Sequence, residues 1–407
     1  MMIERSFYLN QLIKSRGNKK IKVLTGVTGS GKTTLLKLYI NHLISMGVKT
    51  DSIIFVNLEE HMFDNAEQVE KFILQKMVKG KPYHIFIDEL FTIPDYLMLL
   101  MEYINNNLYD VYVTVSDLNC GSLSSENLFQ TIHIHPLSFS EYVSYKKDID
   151  RFQLLEEYLN YGGLAGLISA EQKINDKKEL LKLICDNKIL YHIIKAHNIY
   201  NEEAFLNLAK SFAHQFNNTT PYEYAKNSKD EKNKKLSDKT VKTYTEHLTS
   251  SSLLHQSKRY LIKEEKYSKT AARYYFEDVA LLNHYADFKL NDRFPKLQNI
   301  VFIELKRRGF EVCSGLHSYL KKVKGRPVRY SDNISFVVIN QAIKYVIELS
   351  ENSLNDIENK TGKLLNVKDS FKKILLVDGD IKTFTNDKGV VIMSVTDFLL
   401  NENSLDI

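Results

Sequence analysis

Cysteine is scarce in this sequence of 407 residues, and the three cysteines lie far apart along the chain. Cys120, Cys185 and Cys313 form neither a disulfide framework nor the close pairs that are typical of zinc sites. We therefore expect free thiols in a reducing compartment, which favours a cytoplasmic protein.

Long apolar runs and sequence repeats are also missing. No run of about 18 apolar residues occurs, and residues 1–10 lack the apolar centre of a signal peptide. The sequence therefore predicts a soluble protein without a membrane-spanning segment. Its length predicts two or three domains.

The chain has little excess charge of either sign. It contains 55 Lys and Arg against 50 Asp and Glu, for a formal net charge of +5. This balance permits contact with nucleic acid, and it is equally typical of a solvated lysine-rich surface. Two basic clusters keep a DNA partner among the hypotheses, namely Lys306, Arg307 and Arg308, and Lys321, Lys322, Lys324, Arg326 and Arg329.

Short apolar segments alternate with longer amphipathic segments between residues 21 and 137. This alternation predicts an α/β fold with a parallel sheet that is covered by helices on both faces. The predicted strands lie at 21–25, 53–58, 84–88, 111–116 and 131–137, and the predicted helices at 32–46, 66–78 and 94–107.

The turn after the first predicted strand has the pattern G-x-x-x-x-G-K-[ST], which is a P-loop. Backbone N–H groups of such a turn, with the positive end of the following helix, bind phosphate groups. ATP and Mg²⁺ are the predicted ligands, with Lys32 on the β- and γ-phosphates and Thr33 on the metal. The predicted nucleotide-binding residues are Gly26, Thr28, Gly29, Ser30, Gly31, Lys32, Thr33 and Thr34.

Two consecutive acids end the apolar segment at 84–88. Asp88 is expected to bind Mg²⁺ together with Thr33, and Glu89 to orient and deprotonate the attacking water. The acids, together with an extra strand between them and the P-loop strand, favour the additional-strand division that includes the AAA-type ATPases. Ser116 is the preferred sensor of the γ-phosphate and Thr114 the other candidate, although Ser116 is equally compatible with an ordinary strand end.

These motifs resemble those of a prokaryotic family with an N-terminal AAA-type P-loop ATPase domain and a C-terminal domain of unknown function. The similarity extends over nearly the whole chain, and its most specific segment is PLSFSEY at 136–142. Other matching segments lie at 8–13, 21–33, 85–89, 112–116, 161–163, 273–278, 304–309, 369–374 and 397–400.

The resemblance implies four domains. They are an AAA-type ATPase core at 1–145, a helical lid at 146–200, a winged helix at 201–270 and a restriction-endonuclease-like α/β domain at 271–407. Apolar residues at helical spacing from about 140 to 215 agree with the lid. A polar helix start near residue 237, followed by two short apolar segments, agrees with the winged helix.

The sequence departs from the family pattern at three places near the nucleotide. Thr28 and Gly29 stand where relatives often have arginine, Phe91 stands where glutamine is common, and 124–130 contains no arginine. A missing arginine can remove charge that stabilises phosphoryl transfer. ATP binding is therefore a firmer prediction than fast hydrolysis.

A nuclease of the restriction-endonuclease-like fold holds its metal with two or three carboxylates and places a lysine nearby. The positions that the resemblance implies are Gln298, Ser335, Glu348 and Ser350, which supply one carboxylate and no lysine. We therefore expect an inactive docking module at 271–407.

The leading hypothesis is an AAA-type ATPase or ATP-controlled switch that acts with DNA or a protein partner. The alternative is a nucleotide- or DNA-binding regulatory protein that does not hydrolyse ATP, and a metal-dependent nuclease is the third possibility. The sequence predicts no particular oligomeric state.

Overall fold

The computed structural model divides the chain into two compact units, each built from several segments. The first contains Met1–Pro136, Leu164–Glu202 and Lys242–Leu253, and the second contains Leu137–Gly163, Glu203–Val241 and Leu254–Ile407. The structure describes residues 3–61, 63–90, 93, 96–104, 106–116, 127–146, 149–170, 177–214, 236–324, 326–340, 343–368 and 370–406.

Strands and helices alternate along the first 145 residues, as the sequence predicts. They are α1 (Ser6–Ser15), β1 (Ile21–Thr25), α2 (Lys32–Ser45), β2 (Ile53–Asn57), α3 (Ala66–Gln75), β3 (Tyr83–Asp88), α4 (Tyr96–Ile104), β4 (Tyr109–Val115), β5 (Phe129–His133) and α5 (Phe139–Tyr145). The last strand ends earlier than predicted, before Pro136, which has no N–H group for a strand ladder.

All five strands of this region form one parallel sheet in the order β2-β3-β4-β1-β5. The extra strand β4 lies between the P-loop strand β1 and the acidic strand β3, as predicted for the additional-strand division. Because the strands are parallel, the carboxyl ends of β1, β3 and β4 lie at the same edge of the sheet.

Apolar clusters cover both faces of this sheet. Val23, Ile85 and Val113 belong to a buried cluster that includes residues of α3 and α4. Leu24 and Tyr112, one position along their strands, belong to a second cluster with residues of α1 and α2. Burial on both faces explains why these strands are almost continuously apolar.

Helices predominate from residue 139 to residue 213, as predicted. They continue with α6 (Arg151–Tyr161), α7 (Ala165–Ala170), α8 (Lys177–Ile184), a π-helical segment (Cys185–Leu190), α9 (Tyr191–Ala196), α10 (Glu202–Ala213) and α11 (Asp238–Ser250). The predicted lid at 146–200 is divided between the units, since residues to Gly163 belong to the second and residues from Leu164 to the first.

The rest of the chain forms a mixed eight-stranded sheet with helices, in the order β12-β13-β11-β10-β9-β8-β6-β7. Its elements are β6 (Leu254–Leu261), β7 (Lys266–Phe276), α12 (Val279–Tyr285), α13 (Phe294–Arg307), β8 (Glu311–Val323), β9 (Arg326–Asn340), β10 (Ile343–Glu351), α14 (Leu354–Leu365), β11 (Lys372–Asp378), β12 (Phe384–Thr385), β13 (Val390–Ser394) and α15 (Val395–Leu400).

A separate winged helix at 201–270 is not confirmed. The hairpin of β6 and β7 forms one edge of the eight-stranded sheet, because β6 pairs in parallel with β8. The predicted boundary at residue 270 falls within β7. A lysine-rich segment precedes the predicted helix, and its residues up to 235 lie outside the described residues.

Two further sequence expectations can be compared with the structure. Cys185 and Cys313 are buried free thiols, and Cys120 lies outside the described residues. Within the part of the chain that the structure describes, no helix is both long enough and apolar enough to cross a membrane.

Candidate nucleotide-binding site

The P-loop joins β1 to α2, and its backbone requires glycine at particular positions. At Gly26 the φ angle is +139°, and a Cβ atom would lie 2.3 Å from the carbonyl oxygen of Ile134. Gly31 precedes α2 with a φ angle of +98°, in the left-handed region that side chains disfavour. The loop therefore has the tightly turned backbone, free of side chains at Gly26 and Gly31, that can surround a phosphate group.

Lys32 is buried at the centre of the site. Its Nζ donates hydrogen bonds to the carbonyl oxygens of Gly26 at 2.9 Å and Val27 at 3.4 Å, and to Ser116 Oγ at 2.9 Å. The same nitrogen lies 3.7 Å from Glu89 Oε1. One ammonium group therefore connects the ends of three neighbouring strands.

Asp88 and Thr33 form the predicted metal pair. Asp88 is almost fully buried, and its Oδ1 accepts a hydrogen bond from Thr114 Oγ1 at 2.7 Å. Burial raises the pKa of Asp88, and hydrogen bonds from Thr114 and Thr33 oppose that shift. A carboxylate and a hydroxyl at one point are oxygen ligands of the kind that Mg²⁺ prefers, so these residues fit the metal.

Glu89 has an unusual backbone conformation directly after β3. Its φ angle is +57°, a left-handed value that is uncommon for residues other than glycine. The N–H group donates to Thr114 Oγ1 at 2.8 Å, which supports this conformation. The carboxylate accepts from Ser116 Oγ at 2.9 and 3.3 Å.

Both candidate sensor residues lie at the site, with different contacts. Ser116 contacts Lys32 and Glu89, whereas Thr114 contacts Asp88 and the backbone of Glu89. The preferred residue, Ser116, is therefore the one that joins the P-loop lysine to the predicted catalytic acid.

The remaining predicted residues line the loop itself. Ser30 is fully buried, and its Oγ has no hydrogen-bond partner among the described residues. Thr28, Gly29 and Thr34 are half-buried on the loop and the first turn of α2. An unpartnered buried hydroxyl inside a phosphate-type loop fits the predicted nucleotide, which would satisfy it.

A small cleft opens beside the loop within the first unit. Its walls combine the loop and the strand end with helical residues from farther along the chain, which are Val27, Thr28, Ser116, Ile189, His192, Ile193, Ala196 and Ser251. The helical segment at 185–196 therefore faces the P-loop across this cleft, and a π-helical stretch is often found at functional positions.

Arg5 is a site residue that sequence reasoning missed. Its guanidinium donates to the carbonyl oxygens of Ser30 at 2.7 Å, His135 at 2.8 Å and Pro136 at 3.4 Å, and it lies 4.6 Å from the centre of the Tyr8 ring. These contacts fasten the P-loop to the chain that follows β5. Nothing in the local sequence marks Arg5, since the carbonyl groups to which its guanidinium donates are 25 or more residues away.

The positions implied for a nuclease do come together in the second unit, but as a buried network. Ser335 Oγ donates to Glu348, and Gln298 Nε2 donates to Ser335 Oγ at 3.4 Å. Burial raises the pKa of Glu348, although Lys360 and the hydrogen bond from Ser335 oppose the shift. Ser350 Oγ instead donates to Asp356 at 2.8 Å. Burial that raises the pKa of this carboxyl group disfavours the charged form that binds a metal.

One of the two predicted basic clusters is not a free cationic surface. Arg307 is buried and donates to Glu304 and Glu402, each at 2.8 Å. Arg308 donates to Glu304 at 2.6 Å and also contacts Ser404. Contact of these two arginines with DNA stays a prediction, which these ion pairs make less favourable because acids within the same unit already neutralise them.

Comparisons with known proteins agree with the sequence motifs. A family described as an AAA domain matches residues 18–143, and a domain of unknown function matches residues 152–292. An uncharacterized protein of Haemophilus influenzae is 28% identical over 98% of this chain and 99% of its own length. An uncharacterized protein of Methanocaldococcus jannaschii is 26% identical over 93% of this chain and 85% of its own length.

Among solved structures, a Walker-type ATPase of Pyrococcus abyssi aligns with a TM-score of 0.48. It shares 11% identity, and the alignment covers 70% of this chain and 95% of that protein. The AAA-domain match confirms the predicted resemblance for the N-terminal part of the chain. The match at 152–292 assigns no function.

We predict that Arg5→Lys weakens both the fold and ATP binding. One ammonium group cannot replace a guanidinium that bridges Ser30 and His135, and hydrogen bonds to charged groups contribute roughly 1.5–3 kcal/mol each. Thermal unfolding and titration with a fluorescent ATP analogue measure the two effects. Arg16→Lys, on an exposed arginine after α1, is the matched control. Equal unfolding and affinity in both variants would contradict the proposed role of Arg5.

We predict that Glu348→Gln does not destabilise the protein at pH 8. When folding raises the pKa of a carboxyl group, the protein loses stability as the pH rises from the pKa of the unfolded state, about 4.3, toward the pKa of the folded state. Glutamine removes that loss, so the stability of the variant relative to wild type should rise between pH 5 and pH 8. Urea unfolding at both values measures the change, with Glu358→Gln on the exposed face of α14 as control. A variant that loses stability relative to wild type between these values contradicts the assignment.

Proposed function

With an AAA-type P-loop domain in its N-terminal part, we propose that this chain binds ATP with Mg²⁺ and hydrolyses it. The observation that carries this proposal is the set of contacts that joins Lys32, Ser116 and Glu89 beside the pair of Thr33 and Asp88. These residues provide a cation for phosphate groups, oxygen ligands for a metal and an acceptor for a proton. We also propose that the nucleotide state controls a partner, either DNA or another protein.

The binding roles follow from charge and position. Lys32 supplies positive charge to the β- and γ-phosphates, while N–H groups of the loop and the start of α2 bind the remaining oxygens. Thr33 and Asp88 hold Mg²⁺, which when bound neutralises charge on the phosphate groups. A nearby cation also favours the charged form of Asp88, which burial disfavours.

The catalytic role falls to Glu89. Its carboxylate accepts the proton of the attacking water, and the hydrogen bond from Ser116 orients it. The left-handed backbone of Glu89 directs this carboxylate toward Ser116 instead of continuing the strand. Such strain is retained at sites where a fixed orientation serves the chemistry.

The cleft beside the loop supports a switch. His192 and Ile193 of α9 line the same cleft as Val27, Thr28 and Ser116, so a nucleotide that enters the cleft would contact both the loop and this helix. This helix belongs to the segment Leu164–Glu202 of the first unit. The predicted lid function is therefore proposed for this segment.

The test of hydrolysis is Glu89→Gln. Removal of a general base lowers the rate by about 100-fold or more, while the binding groups stay in place. We expect steady-state phosphate release to fall by that factor, with ATP-analogue affinity within about threefold of wild type. Glu59→Gln, on an exposed acid just after β2, is the matched control and should retain wild-type turnover.

The same measurement separates the alternative function. If wild type and Glu89→Gln both release phosphate only at the background rate and both bind ATP, the chain is a nucleotide-binding protein that does not hydrolyse. If Lys32→Ala also binds ATP like wild type, the assignment of the P-loop as the nucleotide site is wrong.

We predict that Ser116→Ala lowers turnover more than it lowers binding. The change removes the hydroxyl that contacts both Lys32 and Glu89 but leaves the loop and the metal pair unaltered. We expect single-turnover hydrolysis to slow by about 10-fold or more, with Ser45→Ala at the end of α2 as control. Equal losses in affinity and rate would indicate that Ser116 serves only to shape the loop.

A further inference from the structure

The strands β8 and β9 continue past their neighbours as a two-stranded ribbon. β8 pairs with β6 as far as Leu316, and β9 pairs with β10 from Phe336 onward. Between these points, the described pairs from His317↔Asp332 to Val323↔Arg326 join β8 and β9 only to each other. We call residues 317–332 the basic ribbon. Its seven residue pairs extend about 20 Å.

The basic ribbon carries most of the excess charge of the chain. It contains Lys321, Lys322, Lys324, Arg326 and Arg329 against the single acid Asp332. This net charge of +4 compares with +5 for all 407 residues. None of the five cations has a described salt bridge, in contrast to Arg307 and Arg308 of the other cluster.

The cations lie on both faces of the ribbon. Alternate side chains of a strand point to opposite faces, and directly paired residues share a face. Lys321 and Arg326 therefore lie on one face and Lys322 and Arg329 on the other, with Lys324 in the turn. The ribbon therefore presents positive charge on both of its faces.

Apolar and aromatic side chains are exposed between these cations. Leu320 is 63% exposed and Tyr330 40%. The Tyr319 and Tyr330 rings stack with centroids 5.9 Å apart, and Lys321 lies over both. An isolated two-stranded ribbon with exposed apolar residues is only marginally stable in water, so a partner that covers it would stabilise it.

We propose that the basic ribbon binds in the major groove of duplex DNA. The major groove is about 12 Å wide and admits a two-stranded β-ribbon. Phosphate strands line the groove on both sides, which matches cations on both faces of the ribbon. The exposed Leu320 and Val328 can contact sugars and thymine methyl groups, while Lys324 in the turn reaches base edges.

Other partners fit these observations less well. A protein surface covers one face of a ribbon and leaves the cations of the other face in water. The major groove of an RNA duplex is too narrow and deep for side chains to read. The DNA proposal goes beyond the ATPase function, because it assigns a partner to a surface in the second unit.

The test compares two double variants of the full-length protein in titrations with a labelled DNA duplex of about 25 base pairs. One removes the charge of one face, as Lys321→Gln with Arg326→Gln, and the other removes the charge of the opposite face, as Lys322→Gln with Arg329→Gln. Each lost phosphate contact lowers the slope of log affinity against log salt by about one. We expect each double variant to lower that slope by about two and to weaken binding at least 10-fold.

The matched control removes two exposed lysines elsewhere in the second unit, as Lys382→Gln with Lys388→Gln, and should bind DNA like wild type. Circular dichroism melts verify that each variant is folded. ATP-analogue binding in the same samples should be unchanged in all of them, so loss of DNA binding is distinguished from failure of the proposed nucleotide site.

Three results would overturn the proposal. The first is that wild type does not bind duplex DNA at 100 mM salt. The second is equal DNA affinity in the control and both face variants. The third is a loss of DNA affinity in only one of the two face variants. The last result would show that DNA contacts only one face of the ribbon, which contradicts binding in the major groove. Preference for an RNA duplex of the same length would also contradict major-groove binding.

Discussion

The ammonium group of Lys32 is the contact on which the N-terminal site depends. It is held by carbonyl oxygens of the loop after β1, by Ser116 after β4 and by Glu89 after β3. In the parallel sheet β4 lies between β1 and β3. This order places the carboxyl ends that carry Ser116 and the acids beside the P-loop.

The site retains several features that are unfavourable by themselves. Asp88 is a buried acid with a raised pKa, Glu89 has a left-handed backbone, and Ser30 Oγ is buried without a described partner. Each costs free energy that an ordinary strand end would avoid. The hydroxyl of Thr114 and the guanidinium of Arg5 offset part of that cost, since they bond to the loop and the acids. Such an arrangement is typical of a preorganised phosphate site.

In the second unit, the carboxyl group at the expected nuclease position is buried, whereas the cations of the basic ribbon are exposed. Its single carboxyl group at the position expected for a nuclease is buried beside Ser335, and burial raises its pKa, which disfavours the charged form that a metal needs. The five cations of the basic ribbon, none of which has a described salt bridge, lie away from that core. The docking role expected for this unit stays a prediction.

The sequence by itself determined the elements whose signals are local. These are the P-loop at 26–33, the acids after an apolar strand and the alternation of strands and helices, because each depends on residues that are adjacent in the chain. Only the tertiary structure decided which distant residues meet. Arg5 reaches residues 25 and 130 positions away, the supposed wing joins the C-terminal sheet, and Arg307 is neutralised by Glu402. Such contacts depend on strand order, register and helix packing, which no local pattern encodes.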